Sequence, residues 1–525
     1  MFTDRSVIRR SSRAAAWSVP AALLCLAPTR ALAGGTEAGA VGVVAVGRGG
    51  AFAARASDPT AMAHNVAGLV GLAGVQWTLS SNVGLWSHCF QRAGRYDGVE
   101  SGVEIRTTAF ASSRYAMARP AYPEVCNEVT PAVVPQALVS WRPAPWIALG
   151  AGLLTPAGIG SQRFPDRVET PVGLAPSPAR YMVLTTGVVI VHPTLAVAVA
   201  PFPWLRVGAA LQPSWGRFQG ETMANAIGSQ SPATDVRTAV DASAFFWAGN
   251  LGVMIQPHPS LTLGVHAHLN ATPVVFTGTS TATVRPYASD PTRMHRSTFQ
   301  SEVSLPLPSL VRVGVRYASL RADAPSDRAA RDPMRDEVFD LEVDVHFENS
   351  SVLNQVVTRS QGVVEVEPGM GSPATPEVTL RRGWRDTWGV RAAAEVNAVR
   401  NTLALRAGLS WDLGAQTGER TLQGRTVPWN PDAGIDTAGY DTVGVSLGAS
   451  ARWRWLTVDL AWQHLFLSGQ DVQQGRATTV SGTAPITAED CARGPGYPGP
   501  GACTNNQGVF RAAYDVFALG ITARH

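Results

Sequence analysis

Three groups of reactive side chains in this sequence suggest a chemistry. Gly444-Val445-Ser446-Leu447-Gly448 fits the G-x-S-x-G pattern of a serine nucleophile, which in a hydrolase sits on a sharp turn between strand and helix. Here the surrounding residues keep alternating between apolar and polar or small, so the reading is an unbroken strand and no catalytic residue is assigned. His266 and His268 are spaced to share one face of a strand. They could ligate a metal, but no third ligand is evident, and H-E-x-x-H and C-x-x-C are absent. Simple lumen or surface histidines are preferred, and neither metal nor cofactor is expected. All 43 basic residues are arginine, which excludes a phosphate-loop lysine and a Schiff-base lysine.

The carboxylates Asp340, Glu342 and Asp344 recur at every second residue. They therefore share a strand face, where arginines from neighbouring strands would give them a structural role. Arg48 and Arg55 could meet a ligand carboxylate, although a salt bridge within their own segment is preferred.

The elements that position these groups begin after a leader. Arg5, Arg9, Arg10 and Arg13 precede an apolar stretch from Ala14 to Ala27, and Ala31-Leu32-Ala33 is an A-x-A cleavage signal. The apolar stretch is shorter than the roughly 20 residues of a spanning helix. Leu24 stands before Cys25 where a lipoprotein would carry a small residue. The mature chain is therefore expected to start at Gly34. Removing residues 1–33 takes away five Arg and one Asp, so 38 basic residues face 38 acidic ones. No net field then argues for nucleic acid or an anionic surface. Cys89, Cys126, Cys491 and Cys503 remain, an even number in an exported chain. Three connectivities are formally open; the preferred pairs are Cys491–Cys503, within one predicted outer loop, and Cys89–Cys126.

Charged residues make up 16% of the chain, against roughly 25% in ordinary soluble domains. Beyond the leader, though, no long apolar run occurs. A membrane β-barrel reconciles the two, since only alternate residues of its strands face lipid. Val443, Val445, Leu447, Ala449, Ala451, Trp453 and Trp455 alternate with Gly444, Ser446, Gly448, Ser450, Arg452 and Arg454. The same period of two runs through 403–412, 339–347 and 311–318. A soluble sandwich would share that period, and loop lengths separate the two classes. Short connections fall at 201–203, 257–259, 399–401 and around Trp455, and long polar ones near 217–236, 278–296, 349–383, 413–439 and 469–508. Trp141, Trp146, Trp204, Trp384, Trp388, Trp453 and Trp455 stand near predicted strand ends, as interfacial girdles require.

Between the leader and the strands, Val46 to Leu69 reads VGRGGAFAARASDPTAMAHNVAGL. Gly47, Gly49 and Gly50 permit close approach, Asp58-Pro59 marks a turn or helix start, and Asn65 can bond its own turn. This segment resembles the hatch of FadL-type outer-membrane transporters, carriers of long-chain fatty acids and aromatic hydrocarbons. Ser304–Tyr317, Trp384–Asp412 and Tyr440–Phe466 are similar to the family's later strands. Two departures stand out: Asn65-Val66-Ala67 replaces the family's Asn-Pro-Ala, and the chain ends Arg524-His525 rather than in an aromatic residue.

The resemblance implies an all-β, transmembrane antiparallel β-barrel of about fourteen strands. It implies a signal peptide at 1–33, a hatch at 34–74 inside the lumen and a barrel at 75–525. The hatch and its gating fall to Gly47, Arg48, Gly49, Gly50, Phe52, Asp58, Asn65, Ala67, Gly68 and Leu69. The implied function is passive, non-enzymatic transport of a hydrophobic compound by a monomer in the bacterial outer membrane. Its implied partners are the membrane lipid and the barrel-assembly machinery. A general porin or a structural surface barrel is the alternative.

Overall fold

In the computed structural model the alternation becomes an inside-out barrel. The structure describes residues 40–525 apart from 97–103, 106–120, 156–160, 172, 226–234, 272, 285–294, 326–330, 368–369, 374–376, 417–418, 423–424, 429, 436–438, 473–474 and 476–504. Fourteen strands form the closed antiparallel wall. They are β1 (Val75–Arg92), β2 (Ala132–Ala144), β3 (Ile147–Leu154), β4 (Thr185–Phe202), β5 (Leu205–Asn225), β6 (Asp235–His258), β7 (Leu261–Asn270, continued by Val274–Val284), β8 (His295–Leu305, continued by Leu310–Leu320), β9 (Glu337–Glu348), β10 (Thr387–Val399), β11 (Leu403–Asp412), β12 (Thr442–Trp453), β13 (Leu456–Leu467) and β14 (Gly508–Arg524). β14 closes on β1 from Gln76 opposite Arg524 to Arg92 opposite Gly508.

Alternation fixes which face goes where. Leu447 is 57% exposed while its neighbour Ser446 is 2% exposed, and Leu341, Val343 and Val345 project outward while Asp340, Glu342 and Asp344 are buried. A water-soluble sandwich would bury the apolar face. An apolar outside and a charged inside belong to a wall bathed in lipid. Trp77, Trp141, Trp146, Trp204, Trp453 and Trp455 are exposed near the end with the short turns. Trp384 departs from the expected girdle: it is buried in an apolar cluster inside the barrel.

Several expected loops are partly strand. β5 runs to Asn225, well inside the 217–236 stretch expected to be loop, and β6 begins at Asp235, near its end. The strands here extend past the apolar band, and the alternation inverts: Arg217, Gln219, Arg237 and Asp241 face outward while Met223, Val236 and Ala242 are buried. Four neighbouring walls also break at one height. β7 breaks after Asn270, β8 after Leu305, and a 3₁₀ turn at Ser350–Asn354 follows β9 and leads into a further strand, Gln355–Gln361; Glu377–Arg381 precedes β10. Side chains bridge this seam. Asn270 Nδ2 donates to the Pro308 carbonyl at 2.6 Å, Ser309 N–H to Asn349 Oδ1 at 2.6 Å and Ser351 N–H to Asp386 Oδ1 at 3.1 Å. On one side of the seam the outward residues include Val311, Val313 and Phe347; on the other, past Val275 and Leu380 at its edge, they include Thr277, Gln300, Glu302 and Arg359. The seam thus marks the edge of the lipid-facing band.

At the short-turn end a small helix, α3 (Pro333–Asp336), follows Asp332, which binds Arg452 at 2.7 Å and Arg524 at 2.8 Å. Burial raises the Asp332 carboxyl, but Arg524 and Arg452 outweigh burial and hold it below its usual range. His525 exchanges backbone bonds with Val75, at 2.9 and 2.8 Å. Arg524-His525 is thereby tied into the wall.

Cys89 and Cys126 stand opposite each other in register and form a disulfide. Cys491 and Cys503 lie outside the described residues. Mass mapping without reductant is expected to find the Cys89–Cys126 peptide link, which typically contributes about 2–4 kcal/mol; a free thiol at either position would contradict it.

Candidate functional site: a plug pinned to a charged wall

Residues 40–74 lie inside the barrel. They form α1 (Val43–Gly47), α2 (Ala61–His64) and a 3₁₀ turn at Val66–Gly71. These pieces are too short to be stable alone, so the segment is held by what it touches. Val66, Ala67, Leu69 and Met62 pack against Leu138, Ala148, Ala198 and Met254 of the wall. Val43, Val46 and Phe52 pack against Trp86, Leu465 and Tyr514.

The stronger hold is electrostatic. Arg48 is fully buried and donates through Nη2 to Asp340 Oδ1 and Glu342 Oε2, both at 2.8 Å, with Glu395 3.9 Å from Nη1. Arg55 donates to Asp340 and, at 2.6 Å, to Glu395. Arg316 of β8 meets Asp340 at 3.2 Å, and Arg406 of β11 meets Glu395 at 2.9 Å. Asp340, Glu342 and Asp344 come from β9 and Glu395 from β10, all inward-facing. The wall carboxylates also cap plug backbone. Phe52 and Ala53 N–H donate to Asp344 Oδ2 at 2.9 and 3.0 Å, and Ala54 and Arg55 N–H to Glu342 Oε1 at 2.7 and 3.2 Å. A segment without long helices leaves such N–H groups unpaired, and buried ones must find partners.

This corrects the expected salt bridge for Arg48 and Arg55. Their partners lie across the lumen on the wall, because the plug's Asp58 accepts instead from Thr60 N–H at 2.7 Å. The carboxylates of β9 meet plug groups as well as Arg316 of the adjacent strand. Asn65 Nδ2 donates to Ala53 O at 2.7 Å and to wall Val253 O at 3.0 Å, while its Oδ1 accepts from Ala67 N–H at 3.2 Å. One side chain thus ties two plug turns to β6. Gly49 and Gly50 adopt positive φ of 62° and 87°, Gly47 lies against Gly448 and Arg406, and Gly68 lies against the Ala56 carbonyl. Phe52 packs edge-on against His64 at 5.4 Å.

Sequence reasoning singled out the β9 carboxylates but not Glu395, Arg316 or Arg406. The available signal was an ionised residue at an inward position of an apolar-alternating strand. Ser446 is buried mid-strand on β12, without an elbow. His266 and His268 face inward, and among the described residues no group of metal-ligating side chains gathers.

Beyond the plug, an apolar cluster including Phe246, Phe276, Val303, Leu305, Leu353 and Trp384 fills the lumen side of β6 to β10. The wall beside it is irregular: six residues separate Leu154 from Ser161 where β4 has four between Gly187 and His192.

A closed wall of this kind, filled by the chain's own N-terminal segment, defines a plugged transmembrane β-barrel. Its fold is that of the FadL-type transporters. A FadL homologue from Pseudomonas aeruginosa superposes with a TM-score of 0.64 at 14% identity, over 94% of this chain and 100% of that one. The toluene transporter TodX of Pseudomonas putida gives 0.60 at 12% identity over 92% and 98%. The monoaromatic hydrocarbon channel CymD gives 0.57 at 13% over 93% and 98%. No protein-family model and no curated protein sequence matches the chain.

Proposed function

We propose that the protein passively transports hydrophobic compounds, long-chain fatty acids or aromatic hydrocarbons, across the bacterial outer membrane. On this reading residues 1–33 are a cleaved signal, 34–74 the hatch and 75–525 the barrel. The observation that carries it is the apolar cluster inside the barrel directly beyond the plug. A diffusion porin has a polar, water-filled lumen, whereas an apolar solute gains on the order of 0.8 kcal/mol per buried CH₂ on entering such a cluster. The ligand is captured from outside, the hatch shifts on its ion-pair seat, and the ligand leaves through the irregular wall beside β4 into the bilayer. Passage between apolar environments needs no hydrolysis and no catalytic residue. Arg48 and Arg55 hold the hatch, with no ligand carboxylate required. The proposed neighbours are membrane lipid and the barrel-assembly machinery.

The test is uptake of labelled oleate and labelled toluene by a host lacking its own transporter of this kind, with and without this chain. Uptake of either is expected and names the substrate class. A folded, inserted barrel that admits neither contradicts the proposal.

A further inference from the structure

Between the plug and the apolar cluster lies a polar shelf of six inward side chains: His192 and Thr194 of β4, Gln212 and Ser214 of β5, Asn250 of β6 and His268 of β7. Its hydrogen bonds fix its polarity. Thr194 Oγ1 donates to the His192 carbonyl at 2.9 Å, so its oxygen accepts from Gln212 Nε2 at 3.1 Å. That orients the amide and leaves Gln212 Oε1 pointing away, buried and without a partner, on a side chain only 1% exposed. Ser214 Oγ donates to the Gln212 backbone carbonyl at 2.9 Å and lies 2.5 Å from His192 Nδ1, so its proton is already committed. A buried carbonyl oxygen lacking a donor is costly, and none of these shelf hydrogen bonds reaches this one.

The shelf touches both the plug and the apolar cluster. Asn250 Nδ2 donates to the plug's Met62 carbonyl at 2.8 Å, and Asn250 Oδ1 pairs with His268 Nδ1 at 2.8 Å. The His192 ring stands edge-on to Phe246 of the apolar cluster, with centroids 6.1 Å apart. His192 is also the last residue of β4 paired with β3, opposite Leu154, where the wall turns irregular. Arg312, opposite His266, points Nη1 toward the plug's His64 at 3.5 Å.

We propose that this shelf is a head-group seat, with Gln212 Oε1 as acceptor, for an apolar molecule carrying one neutral hydroxyl, an alcohol or a phenol, whose tail lies in the Phe246–Phe276 cluster. The inference rests on the transport reading above and narrows its substrate class. An acceptor without a donor selects for a hydroxyl over a bare hydrocarbon, and a carboxylate would set like partial charges against each other. Sites built to bond a polar group discriminate far more sharply than apolar pockets do.

The test is equilibrium binding of radiolabelled 1-dodecanol, dodecane and dodecanoate at pH 8 to the purified barrel in detergent, corrected for empty micelles. The expected order is dodecanol first, about tenfold or more over dodecane, with dodecanoate below dodecanol. Gln212→Met is expected to bring the dodecanol-to-dodecane ratio near one while retaining dodecane binding, which shows that the variant is folded. Phe246→Ala is expected to weaken both ligands together and leave their ratio unchanged. Equal binding of dodecanol and dodecane by the native protein, as a resident water on Gln212 would produce, overturns the seat while leaving hydrophobic transport intact. Tighter binding of dodecanoate also overturns it. Binding of none of the three removes the transport reading as well.

Discussion

Replacing Arg48 by alanine is expected to release the N-terminal plug while leaving the barrel closed. The guanidinium is wholly buried and satisfies Asp340 and Glu342 at 2.8 Å each. Without it, Asp340, Glu342 and Glu395 must share Arg55, Arg316 and Arg406, and Glu342 loses its only guanidinium among the described ion pairs. Breaking one partner out of a buried pair costs about 3–5 kcal/mol, which is roughly a hundred- to several-thousandfold in the population of the detached plug. Hydrogen–deuterium exchange at Phe52, Ala53 and Ala54, whose amides donate to Asp344 and Glu342, should accelerate by about that factor. Strand amides of β9 should not change. Arg48→Lys should fall between the two, since an ammonium keeps the charge but lacks the planar fork that reaches two carboxylates. Unchanged exchange in Arg48→Ala would mean that apolar packing alone seats the plug.

The second large effect is expected at Gly408 of β11, from a single methyl group. A Cβ built there would lie 2.2 Å from the Arg48 carbonyl carbon and 2.3 Å from the Gly49 nitrogen. Both are backbone atoms, and β11 is held in the ladder on both edges. The plug must therefore move. Overpacking a well-filled interior typically costs about 1–3 kcal/mol and more where backbone has to shift, and here the shift also pulls Arg48 from its carboxylates. Gly408→Ala is expected to expose the plug to added protease and to raise ion leakage through the purified barrel. Gly216→Ala is the matched control. Its methyl group would meet the Phe276 ring at 2.9 Å, beyond the plug, so it should leave leakage unaltered. Equal behaviour of the two variants would contradict the proposed seat.

The wall was legible in the sequence wherever one face of a strand is lipid-facing. Val311-Arg312-Val313 and Phe339 to Phe347 announce their orientation because lipid demands apolar side chains on every second position. Where strands leave the lipid the outward face turns polar, and the lipid-facing pattern that announces a wall strand is lost. The stretches 217–225 and 278–284 read as loops, although hydrogen bonding carries the ladder through them. Trp384 shows the same limit, because a tryptophan near a strand end can serve an interface or an interior cluster, and the chain alone does not say which way it turns. The plug was legible as a compact, glycine-rich segment with Asn65 at a turn. The partners of Arg48 were not, since 292 residues separate it from Asp340, and no local pattern encodes a contact across a lumen. Glu395 and Arg406 were visible as charges at inward positions, but only the assembled wall brings them to the plug.

Ion conductance of the purified protein in a planar bilayer, compared with the same protein lacking residues 34–74, tests the central claim most directly. The full chain is expected to stay closed to ions across a range of voltages, because its N-terminal segment fills the lumen on a balanced arginine–carboxylate seat. The shortened chain is expected to conduct. A steady ohmic pore from the full chain would contradict the account and make a water-filled diffusion channel the better description.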